Sequence, residues 1–451
     1  MIHYLKIKNF GPVKNEAEIS FEVADSIQED AYEITMGDGR KLLKLAYIYG
    51  ANASGKTTIL KAFDFLRKIL LYPAGDKSQG LSFDPFLFCE DAYSKPSYFE
   101  LSFYVDDLRY LYKLNFTKHS ILDEKLLFYQ TVRPTELFSR QTDPEKRLAK
   151  IQFGSKAKVP AREKDLLESN TLHNNTVLGA YAKTNVDIPE LEELNKWFST
   201  YLLGMVTSAH DLTEITAKLI DKNPTINDWI NTLLYKADNQ IAKVLVPDWN
   251  DLIAIPLDDT FQNEFQGTIL QQGSYSSKTT IGSSSGEKAN PIKFYGGSNE
   301  RRIEFLHKIG SGDIYPLSIQ KESSGTKRYF GLGGPLYELI HGSHLLCIDE
   351  LETSLHPDLM KHFLQVFLMN STRSQLLITT HNLSLMADPD FIRRDALWFS
   401  EKESDGSVSL FSAADFDTTT LRKDASLINA YRTGRLGAKP NLGSPYIIVA
   451  D

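Results

Sequence analysis

In two runs within the first fifty residues, apolar and polar side chains alternate. In "MIHYLKIKNFGPVKNEAEISFE" the alternation is broken at Gly11-Pro12, which predicts two strands of a hairpin. A second alternating run, "KLLKLAYIYG", leads into a glycine-rich loop. "KTTILKAFDFLRKIL" follows with helical spacing, placing Ile59, Leu60, Phe63, Leu66 and Ile69 or Leu70 on one side. "SYFELSFYVDDLRYLYKLNF" predicts two aromatic-rich strands joined at Asp106-Asp107, and "LLFYQTVRP" a third, all in an antiparallel sheet.

The pattern changes between about residues 140 and 260. "IPELEELNKWFSTYLLGMV" and "TINDWINTLLYKADNQIAKVL" have helical spacing without the sustained heptads of a coiled-coil arm. "QQGSYSSKTTIGSSSGEKAN" is polar and poor in bulky residues, the composition of a flexible loop. Strands and helices then alternate again. "HLLCIDE", "SQLLITTHN" and "ALWFSE" are the predicted strands, and a helix starts near His356-Pro357 with proline at a favourable early position. Short apolar strands alternating with helices imply a mainly parallel, covered sheet.

Composition narrows the class. In 451 residues, 42% are hydrophobic and 24% charged, so the chain has material for a full core. The net charge of -8 does not advertise nucleic-acid binding. Two cysteines, Cys89 and Cys347, exclude a disulfide framework or a cysteine-rich zinc site. The charged N-terminus does not read as a signal peptide, and no apolar run reaches 18 residues. A cytoplasmic location without membrane association is the expectation.

Residues 50–57, "GANASGKT", match G-x-x-x-x-G-K-[ST] between a predicted strand and a predicted helix. Gly50 and Gly55 let the backbone curl so that its N–H groups face phosphates, and the helix start adds a favourable dipole. Lys56 reaches the outer phosphates, and the Thr57 hydroxyl is placed to hold Mg²⁺. Asn52, Ser54 and Thr58 complete the candidate nucleotide-binding set. Far along the chain two acids stand together, Asp349 and Glu350. Asp349 suits the magnesium shell, and Glu350 the positioning of an attacking water, which is what a loose phosphoryl-transfer transition state needs. Alone, such a pair reads as structural; beside a phosphate loop it reads as functional. His381, at the end of the following strand, is a candidate γ-phosphate contact. "ESSGTKR" (322–328) offers Ser323 and a helix start, although a plain turn and cap share that composition.

Taken together, "LKIKNFGPV", "YGANASGKTTILKAF", "ESSGTKR", "LLCIDELETSLHP", "LLITTHN" and "AYRTGRLGA" resemble the ABC-type ATPases of the RecF/SMC/OLD-like group. Within it they are most similar to the AAA15 family of bacterial anti-phage defence ATPases, with its RloA-type, PARIS-system and AbiL-like members. The resemblance covers about 1–130 and 310–451. It implies an α/β ABC/RecF-like P-loop head, a mixed sheet with an antiparallel subdomain, and an inserted, mainly helical region. The implied organisation is an N-terminal half of the head at 1–135, a helical insert at 136–265, a Ser/Gly-rich connection at 266–309 and a C-terminal half at 310–451.

The resemblance also implies roles. Lys56 and Thr57 match the Walker A pair, Asp349 and Glu350 the Walker B pair with its catalytic glutamate, Ser323 and Gly325 the signature loop, and His381 the switch histidine. His356 stands in the D-loop where many relatives have aspartate, and Gln130 is a weak match for a Q-loop. ATP with Mg²⁺ would lie between the Walker loops of one head and the signature of another, implying a homodimer or higher even oligomer. The implied partners are a separate toxic effector from the same operon and a phage protein as trigger; duplex DNA is left open. The signature "SSGT" departs from the transporter's "SGGQ". The roughly 70 residues after His381 carry no acidic cluster of a nuclease. Two alternatives stand beside the defence reading: a RecF-like DNA-repair ATPase, and a scaffold that binds nucleotide with little turnover.

Overall fold

The computed structural model describes residues 1–24, 30–238, 240–246, 303–310, 312–388, 391–416 and 426–439. The chain forms two compact units. The first comprises Met1–Ser208, Leu339–Thr353 and Leu364–Asp451, the second Ala209–Glu338 and Ser354–Phe363.

In the first unit, a five-stranded sheet has the order Leu345–Ile348, Gln375–Thr379, Leu45–Tyr49, Leu397–Lys402, Val408–Ser412. The first four strands are parallel and the last is antiparallel. The three consecutive strands from Leu345–Ile348 to Leu45–Tyr49 are buried at every residue, which is why they read as unbroken apolar runs. The open edge of Leu345–Ile348 is covered by backbone, with bridges from Leu202 to Leu345 and from Val206 to Ile348.

A seven-stranded antiparallel sheet has the order Ala149–Phe153, Thr135–Thr142, Ile121–Tyr129, Leu108–Phe116, Ser97–Val105, Ile2–Lys8, Ala17–Ser20. The hairpin at Asp106-Asp107 forms as its sequence predicts, with Asp106 supplying the positive φ of 49°. This sheet continues through two strands to Phe153 that the alternation pattern did not reveal. The helix Lys56–Leu71 brings Phe65 into a cluster with Phe10, Phe83, Phe99 and Phe116, at ring-centroid distances of 5.2 to 5.7 Å. That anchor fixes the helix whose first residues belong to the candidate site.

The second unit holds the helices Leu212–Lys222 and Pro224–Ala237, the residues of Ser324–His341 up to Glu338, and a three-stranded antiparallel sheet. Gly331, Gly333 and Gly334 give this last helix a face without side chains. A Cβ on Gly334 would lie 2.6 Å from the Thr216 hydroxyl, and one on Gly333 2.5 Å from Ile230. The run "TINDWINTLLYKADNQIAKVL" is not one helix. It turns extended at Asp238, and Ile241–Leu245 pairs with Glu304–Ile309. Buried Ile241 and Val244 suit a strand as well as a helix, so spacing alone misassigns them. The expected Ser/Gly-rich connection at 266–309 lies outside the described residues up to 302, and Glu304–Ile309 is a strand.

The α/β class, the mixed sheet, the antiparallel subdomain and the helical region agree with the ABC/RecF-like expectation. Among the described residues, no helix is long and apolar enough to cross a membrane.

Candidate nucleotide site

The buried strand Leu45–Tyr49 delivers the chain to a loop that only particular residues can make. A Cβ on Gly50 would come within 2.3 Å of the Ser400 carbonyl oxygen and 2.4 Å of the Ser54 hydroxyl. Gly55, at φ 90°, begins the helix Lys56–Leu71, and Ala53 also takes a positive φ of 61°. Ser54 is buried, with its hydroxyl unpaired within the protein, while Asn52 is exposed. Thr58 lies against the first hairpin turn, where a Cβ on Gly11 would be 3.1 Å from its methyl.

Lys56 is buried, and its ammonium donates to the carbonyls of Gly50 and Ala51, at 2.9 Å each. Burial lowers its pKa, while Asp349, Glu350 and Glu352 act in the opposite sense. A cation folded back over its own loop, held by two neutral carbonyls, is a ready counter-charge for phosphate.

The two acids sit where the parallel pairing places them. Leu345–Ile348 and Gln375–Thr379 run in register, and their tips are laced beyond the last strand residue. Thr379 donates its hydroxyl to Asp349 (2.5 Å) and accepts the Glu350 amide (2.8 Å). Thr57 donates to both Asp349 oxygens, at 3.0 and 3.2 Å. The phosphate-loop helix and the first acid are therefore in direct contact, 292 residues apart in sequence. Glu350 stands at φ 50°, a costly conformation for a non-glycine residue, with its side chain 47% exposed.

His381 closes the group. Its Nε2 is 4.0 Å from a Glu350 oxygen, and its backbone N–H donates to Glu352 at 2.5 Å. Burial and then the Lys56 charge lower its pKa, against the three acids. Tyr49 ties the phosphate-loop strand to this segment through its hydroxyl on the Asn382 carbonyl, at 3.0 Å. Lys56, Thr57, Asp349, Glu350 and His381 are thus brought together in the first unit.

Ser323 and Gly325 belong to the second unit. Ser323 is exposed and its hydroxyl accepts the Thr326 amide at 3.0 Å, capping the helix. A Cβ on Gly325 would be 3.1 Å from the carbonyl of Ser354, which itself has φ 62°. An open groove of about 950 Å³ is lined by Tyr235, Ser323, Gly325, Thr326, Ser354 and His356. Gln130, the Q-loop candidate, is exposed, and its side-chain carbonyl accepts from Lys156 at 2.8 Å.

Sequence reasoning missed Thr379 and Glu352. Thr379 carried only the faint signal of preceding "TH" at a strand end, and Glu352 that of a third acid in "DELE".

The residues suit a magnesium–nucleotide complex. Thr57 and Asp349 offer adjacent oxygens, and Mg²⁺ takes few protein ligands, the rest being water and phosphate. Among the described residues, no three His, Cys, Asp or Glu side chains gather as a self-sufficient metal cage.

Residues 45–387 match the family described as "AAA domain, putative AbiEii toxin, Type IV TA system", and the chain belongs to that family. The match spans the phosphate loop, both acids and His381, and membership places the chain among the AAA-type P-loop ATPase domains. No curated protein matches its sequence. Solved structures similar to it include an SMC head bound to the C-terminal winged-helix domain of ScpA, at 13% identity and TM-score 0.45, covering 91% of this chain and 97% of that one. The SMC head domain from Thermotoga maritima is 13% identical, at TM-score 0.39, with 91% and 98% covered. The Pyrococcus furiosus SMC head with an extended coiled coil, bound to the C-terminal domain of ScpA, is 11% identical, at TM-score 0.42, with 96% and 98% covered.

Proposed function

We propose that this chain is a Mg²⁺-dependent ABC-type ATPase of the AAA15-like defence group, and that its ATP cycle gates assembly of an anti-phage complex with a separate toxic effector. The observation that carries the ATPase reading is the contact of Thr57 with Asp349, which brings a phosphate loop, a metal-seeking carboxylate and Glu350 to one place. Backbone N–H groups of residues 53–58 and the Lys56 ammonium would hold the phosphates. Thr57 and Asp349 would hold Mg²⁺, which supplies neutralising charge on the phosphate oxygens when bound. Glu350 would orient and deprotonate the attacking water, with His381 fixing the geometry around the γ-phosphate.

The composite character of the site rests on the separation of roles. Ser323 and Gly325 carry no charge of their own, present an exposed helix start, and would meet the nucleotide of a second copy. The family's type IV toxin–antitoxin description supports a defence setting. It also keeps a second reading in view, in which this chain is itself the toxic component.

The test separates these. Glu350→Gln keeps the size of the side chain and removes its basicity, so turnover should fall by about 10²–10⁴-fold while ATP stays bound. Turnover close to wild type would remove Glu350 from the chemistry. ATP binding without turnover in the wild-type chain would favour the scaffold, and ATP-dependent capture of duplex ends the repair enzyme. Expressed without its operon neighbours, the chain should leave growth unaffected; growth arrest would assign the toxicity to this chain.

A further inference from the structure

Within the cluster of charges, one acid has no part in the mechanism above. We infer that Glu352 is a positioning residue that sets the switch histidine, resting on the reading of this site as an ATPase centre. The inference comes from the way the two strand tips are laced. Asp349, Glu350 and Leu351 are all held to Thr379, through its hydroxyl and its carbonyl. The next residue toward solvent on the first tip is Glu352, and its Oε1 accepts the backbone N–H of His381 at 2.5 Å. The pairing that begins in the sheet is therefore continued by a side chain, at the one residue whose imidazole faces Glu350.

Three observations distinguish this from an ordinary loop contact. His381 lies toward solvent with its ring only partly covered, and its own N–H is held by the Glu352 carboxylate, between the bonds of Thr380 to Ile48 and of Tyr49 to Asn382 on either side. The second oxygen, Oε2, is buried with no partner within the protein, an arrangement that is costly unless positive charge lies close. The positive charge that feels Glu352 is Lys56, and the His381 imidazole, its pKa lowered by burial and by Lys56, feels it as well. Glu352 thus does two things at once. One oxygen fixes where the His381 ring starts, and the other adds to the field between Lys56 and the ring. Glu350 keeps its own oxygens free for water, because the work of holding His381 is carried by the acid two residues later.

The experiment has an arm that needs no nucleotide. Amide hydrogen exchange of the nucleotide-free chain should show faster exchange across residues 380–383 in Glu352→Ala and near wild-type exchange in Glu352→Gln, whose carbonyl still accepts the bond. Unchanged exchange in Glu352→Ala would overturn the inference. In the hydrolysis arm, Glu352→Ala should lower kcat by about 100-fold with little change in nucleotide affinity, as a misplaced catalytic group does, and Glu352→Gln should restore most of it. The cycle with His381→Ala is decisive. If Glu352 acts through the ring, Glu352→Ala should cost almost nothing further once the ring is gone. An equal loss in both backgrounds, or a parallel loss of affinity, would assign Glu352 a general structural role and overturn the inference. A wild-type chain that does not hydrolyse ATP would end the ATPase reading, and the exchange arm would still decide the contact.

Discussion

The two units hold their candidate nucleotide groups in opposite ways. In the first, several groups are already engaged: Lys56 with its own loop carbonyls, Thr57 with Asp349, Asp349 with Thr379, and the His381 backbone with Glu352. In the second, Ser323 bonds only within its own helix start and stays exposed. The first unit carries the charge and the prearranged geometry; in the second, Ser323 and Gly325 offer a neutral helix start, while Lys327 and Arg328 donate to the carbonyls of Gln320 and His210. Charge alone can bind a nucleotide, whereas a neutral helix start adds little until a phosphate is delivered to it. On the proposed reading affinity belongs to the first unit and closure to the second, and the contrast can be broken from either side.

The largest effect is expected from Lys56→Ala. The substitution removes the buried counter-charge and its charge-assisted hydrogen bonds, each worth about 1.5–3 kcal/mol, so affinity for ATP should fall by about 100-fold or more. Calorimetric titration measures it directly. Unchanged affinity would move the binding function out of the first unit and dissolve the contrast.

Ser323→Arg should do the reverse. It leaves the first unit intact, so an isolated chain should bind ATP as before, while ATP-dependent association and turnover fall together. Mixing Lys56→Ala chains with Ser323→Arg chains sharpens the point. A two-site heterodimer then has one site with both lesions and one with neither, and partial turnover should return. Loss of ATP affinity in Ser323→Arg alone would show that the signature serves its own chain's nucleotide.

How much of this was legible in the sequence follows the same divide. The phosphate loop announced itself because a five-residue apolar run, two glycines and an amphipathic helix are local features with local causes. Asp349, Glu350 and His381 were legible as strand-tip residues, and the structure gathers them. Thr379 and Glu352 were not, because their meaning depends on the register between strands about thirty residues apart, which hydrophobic pattern does not encode. Gln130, a weak match for a Q-loop, accepts a hydrogen bond from Lys156. The Ile241–Leu245 strand was hidden because its buried positions, three residues apart, also fit a helix. In "ESSGTKR" the helix begins at Ser324, with Ser323 capping the turn from outside.

The smallest expected effect tests whether a buried acid remote from the nucleotide site is ionised. Glu124, on Ile121–Tyr129, is fully buried in the antiparallel sheet. It accepts the Val177 amide at 2.9 and 3.1 Å and the Tyr112 hydroxyl at 2.9 Å. Nearby Arg140 donates instead to the carbonyls of Ile121, Leu172 and His173. Burial pushes the Glu124 carboxyl up to about 7, against the Arg140 charge and these hydrogen bonds. The folded pKa lies above the unfolded one, so between about pH 4.5 and 7 the folded chain binds the proton more tightly. Stability from this group is therefore greatest in acid, falls as pH rises through that window, and is flat above it. The span is worth about 3 kcal/mol at most. Glu124→Gln keeps an acceptor for Val177 and removes the titration. Its Tm should exceed that of the wild type by about a few degrees at pH 8 and converge with it near pH 5, as read by calorimetry across that range. Nucleotide affinity should be unchanged, since the hydrogen bonds of Glu124 go to Val177 and Tyr112 and not to residues 50–58. Parallel Tm curves for the two proteins would mean that Glu124 is ionised throughout, its charge balanced by Arg140, and it would then join the buried pairs of Arg393 with Glu33 and Asp395 as charge held away from the site.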